Sequence, residues 1–224
     1  MKAGAQLLRV LHLASPALPV GAFHFSQGLE YAVEAGWVRD GSSALEWIGG
    51  LAHSAVGTLD LPILLRLHRA WTAQDTASIV IWSRALIAAR ETEELRTEDR
   101  HTATALLRIL KEFGIANDPG AGSDEPLCYA ARFAQACVHW GIEEEEALQA
   151  YLWAWAENQT LAAVKLVPLG QSAGQRILHS LIPDLKRIVD EAFSVPDRDI
   201  GTAAVMQGIA SARHEMQYTR LFKS

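Results

Sequence analysis

Apolar residues recur at helical spacing along almost the whole chain, which leaves little room for any architecture but helix packed on helix. Leu7, Leu8, Leu11 and Ala14 form one stripe, Leu29, Val33 and Trp37 a second, and Ala44, Ile48, Leu51 and Ala55 a third. The only β-branched cluster, Ile79-Val80-Ile81, sits inside a longer helical period. The pattern predicts an all-α, bundle-like fold of about ten helices, read as one domain over 1–224. With 224 residues, 50% of them hydrophobic, the chain can bury a sizeable core.

Local signals set the expected boundaries. Asp60-Leu61-Pro62 reads as a helix start, with Asp as cap and Pro in the first turn. Thr76 to Phe113 is helical throughout, as one long helix or as two meeting near Arg90. Its middle, ARETEELRTEDR, carries charge of both signs and reads as a solvated face or a partner face. The acidic run Glu143 to Glu146 suits the first turn of a helix, where the dipole favours negative charge. Pro183 divides a helix over 171–180 from one starting at 183. A last helix spans Ile200 to about Ser211. Residues 117–126 (NDPGAGSDEP) read as a flexible surface loop and 212–224 as a tail.

The helical pattern breaks in SPALPVGAFHFSQGLEYAVEAGW, residues 15–37. Pro16 and Pro19 stiffen the backbone and disfavour helix before each of them. A new helix is expected near Ser26, a suitable N-cap. Such a loop can present side chains to a partner or simply connect two helices. Lys165 lies among Ala163, Val164, Leu166 and Val167, and small residues at Ala162, Ala163, Gly170, Ala173 and Gly174 permit close helix approach. The tail offers donors and an aromatic in Arg213, His214, Tyr218 and Arg220, while Leu221 and Phe222 can dock in an apolar groove. That groove belongs to a partner or to the chain's own core.

A net charge of -6 disfavours nonspecific nucleic-acid binding. Two cysteines, Cys128 and Cys137, form neither a disulfide framework nor a zinc motif and read as buried free thiols. The N-terminus lacks a leader pattern, and no uninterrupted apolar stretch has spanning length, so a soluble cytoplasmic protein with no membrane contact is expected. The eight histidines never pair at i,i+3 or i,i+4, and no nucleotide, zinc-protease or hydrolase motif occurs. No catalytic residue, metal ligand or cofactor is expected.

In order along the chain, LLRVLHLASPALPVGAFHFSQGLEYAVEAGWV, DLPILLRLHRA, RETEELRTEDR, AENQTLAAVKLVPLGQSAGQ and IASARHEMQYTRLFKS resemble five blocks of the UreF family of urease accessory proteins. Ala103 stands where that family commonly has Gly, and Met216 where Thr is common. The resemblance implies an all-α homodimer that is not an enzyme. It implies binding to UreD (UreH in some bacteria), to the nickel-carrying GTPase UreG and to the urease apoprotein. Within that assembly nickel enters a site whose bridging lysine is carbamylated, and the chain regulates GTP hydrolysis or its coupling to metal delivery. On this reading the partner-binding candidates are Glu30, Lys165, Arg213, His214, Tyr218, Arg220, Leu221 and Phe222. Glu30, Lys165 and Arg220 are assigned to the GTPase face. The segment from Arg213, through Tyr218, Arg220, Leu221 and Phe222, is expected to order on UreD. An arginine finger from Arg213 or Arg220 is a sharper version. The competing classes are a helical adaptor for a different GTPase and a metal-dependent helical enzyme. The enzyme would need ligand pairs at helical spacing.

Overall fold

The computed structural model describes residues 3–115, 119, 126–202 and 204–223, and among them there are helices and no strands. The loop expected over 117–126 lies outside the described residues except for its two prolines. Helix α1 (Ala3–Ala14) ends just before Pro16. The connector passes through a 3-10 turn at Ala22–His24 and enters α2 (Leu29–Glu34). The cap of α2 is Gly28 rather than Ser26, in the left-handed region at φ 85°. Ser26 Oγ instead accepts a hydrogen bond from the Glu30 amide. A Cβ at Gly28 would lie 2.9 Å from the backbone nitrogen of Ser211, so the glycine is what lets the last helix rest against this loop.

A capping box between Asp40 and Ser43 opens α3 (Gly41–Leu51). No break follows. The backbone continues through a π-helical segment, Ala52–Asp60, into α4 (Leu61–Thr72). Asp60 is therefore not a cap. It sits mid-helix at φ −65°, and its side chain caps nothing. The run Gly41–Thr72 is long and apolar enough to cross a membrane, but 72% of its most apolar window is buried inside the protein. It is the central core helix: Leu61, Ile63, Leu64, Leu65 and Leu67 are all buried, on every side of α4.

Around α4 pack α5 (Thr76–Ala88), α7 (Tyr129–Trp140), α8 (Glu144–Leu166) and α9 (Gln171–Ala192). Helices α5 and α6 (Glu93–Glu112) are separate and meet at Arg90, because Thr92 leaves the helical region and caps α6 through the Leu95 amide. Glu144, Glu145 and Glu146 fill the first turn of α8, as dipole complementarity requires. Pro183 does not divide α9, which runs straight through it. Both Pro183 and His179, whose carbonyl loses its helical donor, are exposed, so water can satisfy the freed group. The last helix, α10 (Val205–His214), starts later than the sequence suggests.

Close approaches follow the small residues. A Cβ at Gly174 of α9 would lie 2.7 Å from Val164 Cγ2 of α8. One continuous apolar core reaches from Leu13 to Phe222. Cys128 and Cys137 are buried and free, and burial pushes the Cys128 thiol up to about 12, far from a reactive thiolate.

Gly57 in the π-helical segment is held by space. A Cβ there would meet Ile188 Cγ2 at 2.6 Å and the Ala52 carbonyl oxygen at 3.0 Å, whereas one at Gly50 meets nothing within 4 Å. Gly57→Ala should lower the unfolding free energy in urea by about 1–3 kcal/mol through overpacking. Gly50→Ala should raise it by up to about 1 kcal/mol through helix propensity. Equal effects at the two sites would contradict this packing.

Candidate partner-binding site

The short helix α2 carries Glu30 into a buried position, 7% exposed, where its carboxylate organises the C-terminal segment. Oε1 accepts from the Leu221 amide at 2.6 Å and Oε2 from the Phe222 amide at 2.8 Å. His214, fully buried at the end of α10, places Nε2 3.0 Å from Glu30 Oε2 and Nδ1 3.0 Å from the Glu94 carboxylate. Arg220 Nη1 donates to Glu94 Oε1 at 3.1 Å. Burial alone would lower the His214 pKa. The hydrogen bonds to Glu94 and Glu30 outweigh it and hold the imidazole above its usual value. An imidazole between two carboxylates thus ties α2, α6 and α10 together.

The tail beyond α10 is ordered on the chain's own core. Phe222 is buried, and the Lys223 amide donates to the His24 carbonyl at 2.8 Å. Lys165 stays exposed, with Nζ 5.6 Å from the Phe222 ring centroid and 6.0 Å from that of Phe23, within cation–π range. Six of the eight candidates therefore converge: Glu30, Lys165, His214, Arg220, Leu221 and Phe222. Arg213 and Tyr218 do not enter the cluster. Both are exposed, Tyr218 fully, and Met216 and the Leu221 side chain are exposed beside them.

Two features escaped the sequence reading. The first is Glu94, which bridges His214 and Arg220. The second is the interior of ARETEELRTEDR, which is buried rather than solvated at Glu98 and Asp99. Arg90 donates to Asp60 Oδ2 and Oδ1 at 3.0 and 2.5 Å and to Asp99 Oδ2 at 3.4 Å. Tyr151 Oη donates to Asp60 at 3.2 Å, and the Tyr129 amide donates to Asp99 Oδ1 at 2.7 Å. Glu98 Oε1 accepts from Gln27 Nε2 at 2.9 Å, while Oε2 has no hydrogen-bond partner among the described residues. A cavity of about 100 Å³ adjoins these groups and is also lined by Trp155, Asn158 and Gln207. Gln27 lies in the left-handed region at φ 53° and is held there by the Trp155 indole N–H at 2.8 Å. A signal for Asp99 did exist: it falls in helical register with Leu95, Leu106 and Leu110, on the apolar stripe of α6.

Among the described residues no group of three or more His, Cys, Asp or Glu side chains is placed to hold a metal ion. Of the three buried acids, Asp60 and Asp99 pair with Arg90, and each of the three accepts from a neighbouring donor. The site can position a surface.

A family model described as UreF matches residues 38–182 of the chain. The chain is 43% identical over 217 residues to the urease accessory protein UreF of Alkalilimnicola ehrlichii, covering 96% of this chain and 95% of that protein. It is 43% identical over 224 residues to that of Pseudomonas entomophila, with both chains wholly covered. The UreF of Cupriavidus metallidurans is 44% identical over 232 residues, again with full coverage of both. The family model stops short of Glu30 and the tail, but the full-length similarity includes them.

Burial, helped by Asp99 and Asp60 against Gln27 and Arg90, raises the Glu98 pKa to about 7. The folded state binds this proton more tightly than the unfolded chain. The stabilisation is fully present below the ordinary carboxylate value of 4.5 and is lost as pH rises through about 7. His214, also raised, acts in the same direction at its own elevated value. The Tm should therefore fall between pH of about 5 and about 8. Glu98→Gln should flatten this slope and raise Tm at the alkaline end by about 2–4 °C. An unchanged slope in the variant would show that Glu98 is not the titrating group.

Proposed function

The chain belongs to the UreF family of urease accessory proteins, and from that premise we propose that it is a non-catalytic scaffold for nickel insertion into apo-urease, bridging UreD (UreH) and the GTPase UreG. The carrying observation is the Glu30–His214–Glu94 arrangement. It joins blocks far apart in sequence into one pre-ordered surface. Pre-ordering matters because immobilising a loose tail on binding would cost about 1 kcal/mol or more per residue.

The surface has two chemically distinct parts. Lys165 presents an ammonium group above Phe23 and Phe222, flanked by the edge of the Glu30 and Arg220 network. We assign this part to the GTPase. Tyr218 and Leu221, with Met216 and Arg213 beside them, form an exposed aromatic and apolar strip, which we assign to UreD. Aromatic and arginine side chains are the residue types that dominate binding hot spots. The part of the tail that docks at home, His214 and Phe222, fixes the angle at which the rest is displayed. A homodimer would hold two GTPase subunits in a twofold arrangement and thereby regulate their GTP hydrolysis. Nickel is cargo in this scheme, passing to urease in the cytoplasm without a resident site on this chain.

Lys165→Glu removes two cation–π contacts at an exposed site, so its unfolding free energy should fall by about 1–2 kcal/mol at most. Capture of the GTPase should fall at least about tenfold, with nickel-dependent urease activation falling alongside it. The double variant Tyr218→Ala, Leu221→Ala should lose UreD capture while its Tm holds. Full capture by both variants would sink the scaffold assignment. Lost thermal stability with unchanged binding would make Lys165 a structural residue.

A further inference from the structure

On a chain of net charge -6, one surface groove is strongly basic. His24, Arg100, His101, Arg108 and Lys223 line a trough of about 550 Å³ between the proline-rich connector and α6. All five are exposed, and among the described residues only Arg100 is ion-paired, to Glu93 at 2.9 Å. Partial burial, reinforced by the positive charge of Lys223, His24 and Arg108, holds His101 below its ordinary value. The groove is built as well as charged. A Cβ at Gly21 would lie 2.9 Å from His101 Nε2, so a glycine at that point admits the ring.

The spacing decides the kind of anion. Arg100 and Arg108 are eight residues apart on one helix, about 12 Å along its axis. A single phosphate cannot reach both ends. An extended peptide presents every second side chain to one face, with a repeat of about 6.6–6.8 Å, so two repeats span about 13 Å. We propose that this groove is the docking site for an extended acidic segment of a partner protein, with carboxylates at alternate positions. His24 and Lys223 meet the segment from the connector and the tail, and Arg100, His101 and Arg108 from α6. Lys223 is in place because its amide bonds to the His24 carbonyl and Glu30 holds the two preceding amides. The groove is thus complete only while the tail is docked. As a partner surface this inference rests on the scaffold reading, although the binding reaction is measurable without any accessory protein.

Protonation of His101, held below its ordinary 6.5, favours an anionic guest, so affinity should rise as pH falls from about 7 to about 5. The charged groups facing His101 are His24, Lys223, Arg108 and the Glu93-paired Arg100. The test is an anisotropy titration of the full chain with a fluorescent octapeptide of alternating Asp and Ser at about 50 mM salt. The Asn counterpart and inorganic phosphate serve as controls. The Asp peptide should bind at least about tenfold tighter than the Asn peptide. Arg108→Glu and Lys223→Glu should each weaken it by a similar factor without altering Tm, while Lys186→Glu on α9 should not. Equal affinity for the two peptides, displacement by phosphate at matching concentration, or insensitivity to both groove variants would overturn the proposal. The two readings separate cleanly. Failure of the peptide with intact GTPase and UreD capture removes only the groove, whereas lost capture in Lys165→Glu with intact peptide binding supports the scaffold and leaves the groove standing.

Discussion

Arg90 sets the charge balance on which the interior depends. It lies at the joint between α5 and α6 and reaches Asp60 and Asp99, two carboxylates that the fold has taken out of water. Each of these acids also receives a donor from another element, Tyr151 of α8 for Asp60 and the first amide of α7 for Asp99. Four helices and a joint therefore meet at one guanidinium. Removing it would strand two buried anions, a far larger loss than that of a surface ion pair. Glu98 is the third carboxylate in this neighbourhood, and Arg90 cannot neutralise all three. Burial is the main reason that Glu98 retains its proton to unusually high pH, and the neighbouring Asp99 and Asp60 charges add to it.

The π-helical segment belongs to the same solution. The Leu61 amide bonds to the Val56 carbonyl, five residues back, so the turn accommodates one residue more than an α-turn does. Asp60 closes that wide turn facing Arg90, and Gly57 within it leaves room for Ile188 of α9. Such segments commonly mark sites under functional constraint. Here the widened turn lets a single long core helix carry a charge into the middle of the protein without being broken.

Much of the architecture was written in local chemistry. The helical periodicity, the Glu run at the start of α8 and the small residues between α8 and α9 all act over a few residues, and all were legible. Two of the failures share one cause, a partner distant in sequence. Asp60-Leu61-Pro62 has the chemistry of a cap, but Arg90, thirty residues on, uses the carboxylate instead. Ser26 resembles an N-cap, yet the close approach of Ser211 puts Gly28 in that position. ARETEELRTEDR looks solvated by composition, while its register with the apolar stripe of α6 turns Asp99 inward. The convergence of Glu30 with His214 and Glu94 was beyond any local signal, although the connector before Glu30 and the blocks that supply His214 and Lys165 each offered groups that a partner could use.

Glu30 shows why contact and positioning must be separated on such a surface. Its carboxylate is 7% exposed and fully engaged by His214 and two tail amides, so it offers a partner little to touch. What it controls is the position of everything downstream: Phe222 beneath the Lys165 ammonium, Leu221 and Tyr218 at the rim, and Lys223 beside His24. A change at Glu30 would loosen all of these at once and would also leave His214 with one carboxylate instead of two. Loss of binding on altering Glu30 therefore reports lost order. Loss on altering Lys165, whose side chain stands in solvent, reports a contact. The sequence feature that first suggested a partner surface, the stiff connector before Glu30, acts through the same logic. It anchors the tail, and the tail with Lys165 presents the groups that a partner can reach.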